Sequence, residues 1–147
     1  MLRTRIDRMV NSLLLIMTLQ ATCLAHDLPN CKNSTVEQAW GAEYASQAKS
    51  FLVTLQKVVE SGDSAKFARL VHYPVRINGT HVVKITKRSE LTRKYASIMT
   101  SDVRQAILTQ NPECLFANGQ GVMIGNGQIW FQQESSGKMK VISINLP

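Results

Sequence analysis

His72 and Tyr73 are the adjacent side chains in this sequence best suited to acid–base chemistry. An imidazole can act as a general base near neutral pH when it lies within reach of a substrate proton. No carboxylate has a spacing that would place it beside His72, since Asp63 lies nine residues earlier, across a short predicted helix. A histidine at a helix–strand boundary and a tyrosine packed on a sheet are therefore the simpler interpretation of this pair.

Other side chains are better suited to binding than to reaction. Trp130 and Phe131 are adjacent in a predicted strand, so we expect them on opposite faces, one in the core and one pointing outward. The outward aromatic could anchor a partner, because binding energy concentrates in a few aromatic and arginine side chains. Arg76 should point away from its apolar neighbours Val75 and Ile77, where it could receive an anionic ligand.

Metal and cofactor sites are not expected. His81 falls in a predicted hairpin and should be an exposed edge residue. A mature N-terminal His26 could offer its amine and ring to copper together with His72 or His81, but no His-x-His spacing supports such a site. Zinc would need three or four ligands. The sequence also contains no nucleophile elbow and no phosphate-binding glycine loop.

The first 25 residues have the pattern of a secretory signal peptide. Three arginines precede an apolar stretch over residues 9–19, and small residues at 21–25 predict cleavage after Ala25. The apolar stretch is short for a bilayer span, so we do not expect an integral membrane protein. The mature protein should begin at His26 and work in the periplasm or as a secreted protein.

Removal of this leader reduces the charge. The chain has 17 basic and 10 acidic residues, and three of the basic and one of the acidic residues fall in the leader, which leaves +5. This mild, scattered charge argues against a nucleic-acid partner. An acidic protein or an anionic envelope surface remains an alternative.

Two cysteines remain after cleavage, Cys31 and Cys114, and an oxidising compartment favours a disulfide between them. Two separate thiols, or a lipid on Cys23, are the alternatives. The sequons at Asn33 and Asn78 would matter only in a eukaryotic secretory route.

The remaining pattern predicts an α+β fold in residues 26–147, as one domain. A capping box at Ser34 should start a long amphipathic helix whose apolar stripe runs from Trp40 to Val58 and which ends at Ser61-Gly62. A short helix capped by Asp63, a hairpin at Asn78-Gly79 and two further helices follow. The chain should close with a three-strand antiparallel meander. We expect one bent antiparallel sheet packed around the long N-terminal helix.

This order resembles the nuclear-transport-factor-2-like superfamily, also called the ketosteroid-isomerase-like or cystatin-like cone. The resemblance is carried by Ser50 to Leu70, where an apolar helix ends at Gly62-Asp63 before a second helix, and by the glycine-bent strands from Gly121 to Phe131. It implies a cone-shaped domain with a pocket between sheet and helices. Enzymes of this superfamily put Asp, His or Tyr into the cone, and the candidates here are His72, Tyr73, His81 and Tyr95.

The superfamily uses its pocket for catalysis, ligand binding or protein contact, so the fold alone does not assign a function. We expect an exported, non-catalytic binding module that engages a protein partner or a small ligand. An inhibitor of an envelope enzyme or toxin would be one such module. The alternative is a small pocket enzyme, a hydrolase or isomerase, that uses His72 and Tyr73. Dimers through the sheet face are common in the superfamily, so the resemblance also allows a homodimer through this face.

Overall fold

The computed structural model describes residues 34–147 as helices packed on one face of a six-stranded sheet, which confirms the α+β class. The predicted signal peptide, His26, Cys31 and Asn33 lie outside the described residues. The helices are α1 (Val36–Trp40), α2 (Ala42–Glu60), α3 (Ser64–Arg69), α4 (Arg88–Ile98) and α5 (Ser101–Thr109), with a 3-10 turn at Pro112–Cys114. The strands are β1 (Val71–Asn78), β2 (Val83–Ile85), β3 (Phe116–Asn118), β4 (Gly121–Ile124), β5 (Ile129–Gln133) and β6 (Met139–Asn145).

The prediction of one long helix from Ser34 was wrong, because Gly41 divides this segment into α1 and α2 and the longer helix begins at Ala42. Gly41 has φ +88°, a conformation that favours glycine, and it separates α1 from α2. The N-cap of α1 is Thr35, and no side chain caps this end. The Thr35 hydroxyl instead exchanges hydrogen bonds with the backbone of Ala117, at 3.0 and 2.8 Å. The beginning of the described chain is thereby attached to strand β3.

The second helix carries most of the predicted apolar stripe. It turns one face to the sheet and ends at Ser61-Gly62, where Gly62 has φ +67°, as expected. Asp63 then accepts a hydrogen bond from the Lys66 backbone N–H and caps α3, which confirms a second prediction. Trp40 was wrongly assigned to the stripe, because it is 44% exposed and stacks on Tyr44 at 5.2 Å. The buried residues of α2 are Ala45, Ala48, Phe51, Leu52, Leu55 and Val59.

The sheet is mixed, so the prediction of a purely antiparallel sheet was wrong. Its strand order is β2-β1-β6-β5-β4-β3, and β1 pairs with β6 in parallel. The other four pairings are antiparallel. Tight turns between consecutive strands do not restrict how the first hairpin joins the last strand, and helices α4 and α5 supply the long connection that a parallel pairing requires.

Two turns differ from the sequence prediction. Asn78 remains in β1, the chain turns through residues 79–82, and Gly79 does not have the positive φ of a two-residue Asn-Gly hairpin. The predicted long strand from Leu115 to Ile124 is itself a hairpin, because Gly119-Gln120 reverses the chain between β3 and β4. The closing meander therefore has four strands.

Core side chains pack between the sheet and the helices. Phe131 of β5 and Phe67 of α3 have no exposed surface, and the Phe131 ring centroid lies 4.9 Å from that of Phe51. Tyr95 packs edge-on against Phe67 at 5.4 Å, and its hydroxyl is buried without a hydrogen-bond partner among the described residues.

Candidate functional site

One residue from each strand forms a continuous row across the sheet, on the face away from the helices. Strand pairing places Phe116 opposite Met123, and Met123 opposite Trp130. Trp130 in turn lies opposite Ser143, Ser143 pairs with Arg76, and Arg76 with Lys84. Facing residues on neighbouring strands point to the same side of a sheet. We call the six residues the outer row: Phe116, Met123, Trp130, Ser143, Arg76 and Lys84.

The β3–β5 half of the outer row is apolar. Phe116 is 40% exposed, whereas Met123 and Trp130 are partly buried. Met123 and Trp130 converge over Gly127, where an added Cβ would lie 3.7 Å from both Met123 Sδ and Trp130 Nε1. This half therefore offers a tryptophan and a methionine at facing positions, with an exposed phenylalanine beside them.

The structure separates the two aromatics that the sequence singled out. Phe131 is fully buried against Phe51, and Trp130 points to the outer face, as alternation requires. Phe131 is therefore a core residue, and the expectation of an aromatic partner anchor falls on Trp130.

A depression of about 290 Å³ adjoins Trp130 on the outer face. Carboxamide side chains form part of its wall, together with one aliphatic residue and the serine of the outer row. It is open and could receive a single side chain of a partner. Its lining residues are Asn78, Gln120, Trp130, Ile142, Ser143 and Asn145.

Arg76 is oriented by a chain of carboxamides along the same edge of the depression. Its Nε donates to Asn78 Oδ1 at 2.7 Å, and Asn78 Nδ2 donates to Asn145 Oδ1 at 2.6 Å. Asn145 Nδ2 then donates to the Gly127 carbonyl. This chain joins β1, β6 and the β4–β5 turn. Among residues 34–147, no acceptor is bound to the terminal guanidinium nitrogens of Arg76.

His72 has a carboxylate partner that the sequence analysis did not foresee. His72 Nδ1 lies 2.6 Å from Glu134 Oε1, across 62 residues of sequence. The hydrogen bond from His72 is the main cause that lowers the pKa of Glu134 below its usual range, with smaller contributions from Lys140 and Ser136. Both side chains are partly exposed, at 45% and 27%. The pair can orient an imidazole, but it lies on the surface.

Tyr73 does not join His72 in a common site. Its hydroxyl donates to the Ala68 carbonyl at 2.9 Å, and burial raises its pKa. His81 is exposed in the β1–β2 connection, and Tyr95 lies in the core. The four candidates implied by the resemblance are therefore dispersed.

A second depression of about 300 Å³ lies between the β1–β2 hairpin and α4. Its lining is mostly aliphatic, and Lys94 at its rim is paired with Glu90 at 3.1 Å. None of the residues that could perform acid–base chemistry (His72, Tyr73, His81 and Tyr95) lines it or the depression beside Trp130.

Within residues 34–147, no three His, Cys, Asp or Glu side chains are placed to hold a metal ion. The helices in the same part of the chain are too short or too polar to cross a bilayer.

Phe116, Met123, Ser143 and Glu134 were not predicted as functional residues from the sequence. Only the strand register brings these residues to Trp130, Arg76 and His72, and register is not a local property of sequence. One signal was available: Phe116, Met123 and Trp130 recur every seven residues around two glycine turns.

No family model, curated protein or solved structure matches this chain.

Proposed function

We propose that this protein is an exported, non-catalytic binding module that engages a protein partner through the outer row of its sheet. The observation that carries the proposal is the register that aligns Phe116, Met123 and Trp130 on one face, beside Arg76. Large apolar side chains that point outward together are typical of interaction surfaces, and aromatic and arginine residues dominate binding energy there.

The packed interior supports binding over catalysis. A pocket enzyme needs a concave site with convergent polar groups. Here the space between sheet and helices contains core side chains such as Phe67 and Phe131. A rigid core beneath the sheet would instead hold the outer row in a fixed geometry, which reduces the entropic cost of binding.

The predicted signal peptide of residues 1–25 supports a periplasmic or secreted location. That oxidising location in turn supports the proposed disulfide between Cys31 and Cys114. The Thr35 backbone N–H donates to the Leu115 carbonyl at 3.3 Å, so the chain four residues after Cys31 runs beside the residue that follows Cys114. Four residues span at most ~14 Å, so the segment before Thr35 is long enough to allow the bond between Cys31 and Cys114 that we propose. Thiol alkylation of the exported protein tests the bond.

The likeness to the nuclear-transport-factor-2-like superfamily remains part of the proposal. It rests on the element order and on the glycine-bent strands, and an experimental structure that shows a different arrangement of α2 and the sheet would refute it. In an exported member, inhibition of an envelope enzyme or toxin is one activity that a partner-binding sheet face could provide.

The experiment compares two sets of variants in the native host. Trp130→Ala should abolish partner capture while circular dichroism shows an intact fold. His72→Ala and Tyr73→Phe should leave capture and biological activity unchanged. Gln132→Ala, at the next outward position of β5, is the matched control, because Gln132 is exposed on the same strand and carries no apolar anchor.

The second candidate function is a small pocket enzyme, and the His72–Glu134 pair is the observation that favours it. A carboxylate that orients a histidine is a common arrangement for a general base. Loss of activity in His72→Ala and Glu134→Gln, with no effect of Trp130→Ala, would establish this alternative and refute the binding module.

A further inference from the structure

The charged side chains of the sheet strands are all basic. None of the six strands in residues 34–147 contains Asp or Glu. Their charged or chargeable basic side chains are His72, Arg76, Lys84 and Lys140. His72 is paired with Glu134, and Lys140 donates to the Arg69 carbonyl. Arg76 and Lys84 have no carboxylate within ion-pair distance among the described residues.

These two cations are direct neighbours, since Arg76 pairs with Lys84 across β1 and β2. Like charges directly opposite one another destabilise a sheet. Within residues 34–147, no carboxylate provides a counter-charge in this part of the outer row. An anionic group from outside would remove the repulsion, and it would find Arg76 already oriented by its bond to Asn78.

The outer row therefore has an apolar half and a cationic half at a fixed separation. Neighbouring strands lie about 4.8 Å apart, so Arg76 is about 10 Å from Trp130 along the row and Lys84 about 14 Å. The depression beside Trp130 lies between the two halves. An apolar group at Trp130 and an anion 10 to 14 Å away could be bound together.

We propose that the partner of this face is an acidic protein surface, which presents an apolar side chain to Trp130 and carboxylates to Arg76 and Lys84. This rests on the proposed function and specifies its partner class. Charge complementarity favours such a partner over a second copy of this chain, because the outer row of a second copy would bring the same two cations and no carboxylate. Complementary charges also speed association and exclude basic competitors.

The test uses three synthetic peptides as probes, each with one leucine flanked on both sides by two Glu, two Gln or two Lys residues. Binding is measured by NMR on the full mature protein, from the indole N–H of Trp130, with the indole of Trp40 as an internal control. The Glu peptide should bind at least fivefold more tightly than the Gln peptide, and the Lys peptide should cause no shift. Binding of the Glu peptide should weaken as salt is raised from about 50 to 500 mM.

Variants connect the selectivity to the two cations. Arg76→Gln/Lys84→Gln should reduce binding of the Glu peptide to that of the Gln peptide. The control Lys57→Gln/Arg93→Gln removes the same charge from exposed helical positions and should keep the preference. Equal binding of Glu and Gln peptides, or no binding of the Glu peptide, would overturn the acidic partner.

The proposed function fails by a different result, namely partner capture that survives Trp130→Ala. Sedimentation of the mature protein tests whether a second copy of the chain occupies the outer row instead. A dimer that Trp130→Ala dissociates would identify a second copy as the occupant and overturn the acidic partner.

Discussion

Truncation of Phe51 provides the sharpest test of the packing that supports the outer row. Phe51 lies on the buried face of α2, is 8% exposed, and its ring contacts that of Phe131 at 4.9 Å with a tilt of 42°. Phe51→Ala should lower the free energy of unfolding by ~3 to 5 kcal/mol, from lost burial and the cavity left behind. Since small domains are stable by only ~5 to 15 kcal/mol, the melting temperature should fall by roughly 10 °C or more.

The assay is urea unfolding followed by circular dichroism, in which a shift of midpoint at constant slope reports stability. Val53→Ala is the matched control, because Val53 lies on the exposed side of the same helix, and its change should stay within about 0.5 kcal/mol. A double-mutant cycle of Phe51→Leu with Phe131→Leu should show a coupling of ~0.5 to 1.5 kcal/mol. A loss below about 1 kcal/mol in Phe51→Ala would show that this face of α2 does not pack on the sheet.

Two further predictions concern the strands and the cysteines. Gly121→Ala should destabilise the protein more than Gly137→Ala. Both glycines have positive φ, which costs ~1 to 3 kcal/mol for alanine, but only at Gly121 would the added Cβ lie 2.7 Å from the Phe131 carbonyl oxygen. Equal losses of stability in urea unfolding would refute the close approach of β4 to β5. Protein recovered from the envelope should begin at His26 and gain no mass on alkylation before reduction. After reduction, Cys31 and Cys114 should each take one label. A label before reduction would exclude the disulfide.

Local signals predicted the helical half of the molecule well. The end of α2 at Ser61-Gly62 and the cap of α3 at Asp63 follow from backbone conformation and side-chain capping, which act within a few residues. The break at Gly41 was missed because α1 continues the helical pattern in sequence. The attachment of Thr35 to Ala117 in strand β3 was also missed, because it joins residues that are distant in sequence.

The sheet was predicted less well, because its order depends on contacts between distant residues. The parallel pairing of β1 with β6 joins Arg76 to Ser143, and no local pattern encodes that choice. The same holds for the candidate site. Alternation predicted that only one of Trp130 and Phe131 points outward, but it could not show which residues surround Trp130, or that Glu134 lies beside His72.

The composition of the outer row follows from where the chain turns. The turn at Gly119-Gln120 places Phe116 opposite Met123, and the turn around Gly127 places Met123 opposite Trp130. A shift of either turn by one residue would move every side chain beyond it to the other face of the sheet. Phe116 would then point inward and a core residue outward. The positions of these glycines therefore determine both the core around Phe131 and the apolar half of the outer row. A substitution that alters a turn should impair stability and binding together. Trp130→Ala, in contrast, should impair binding alone.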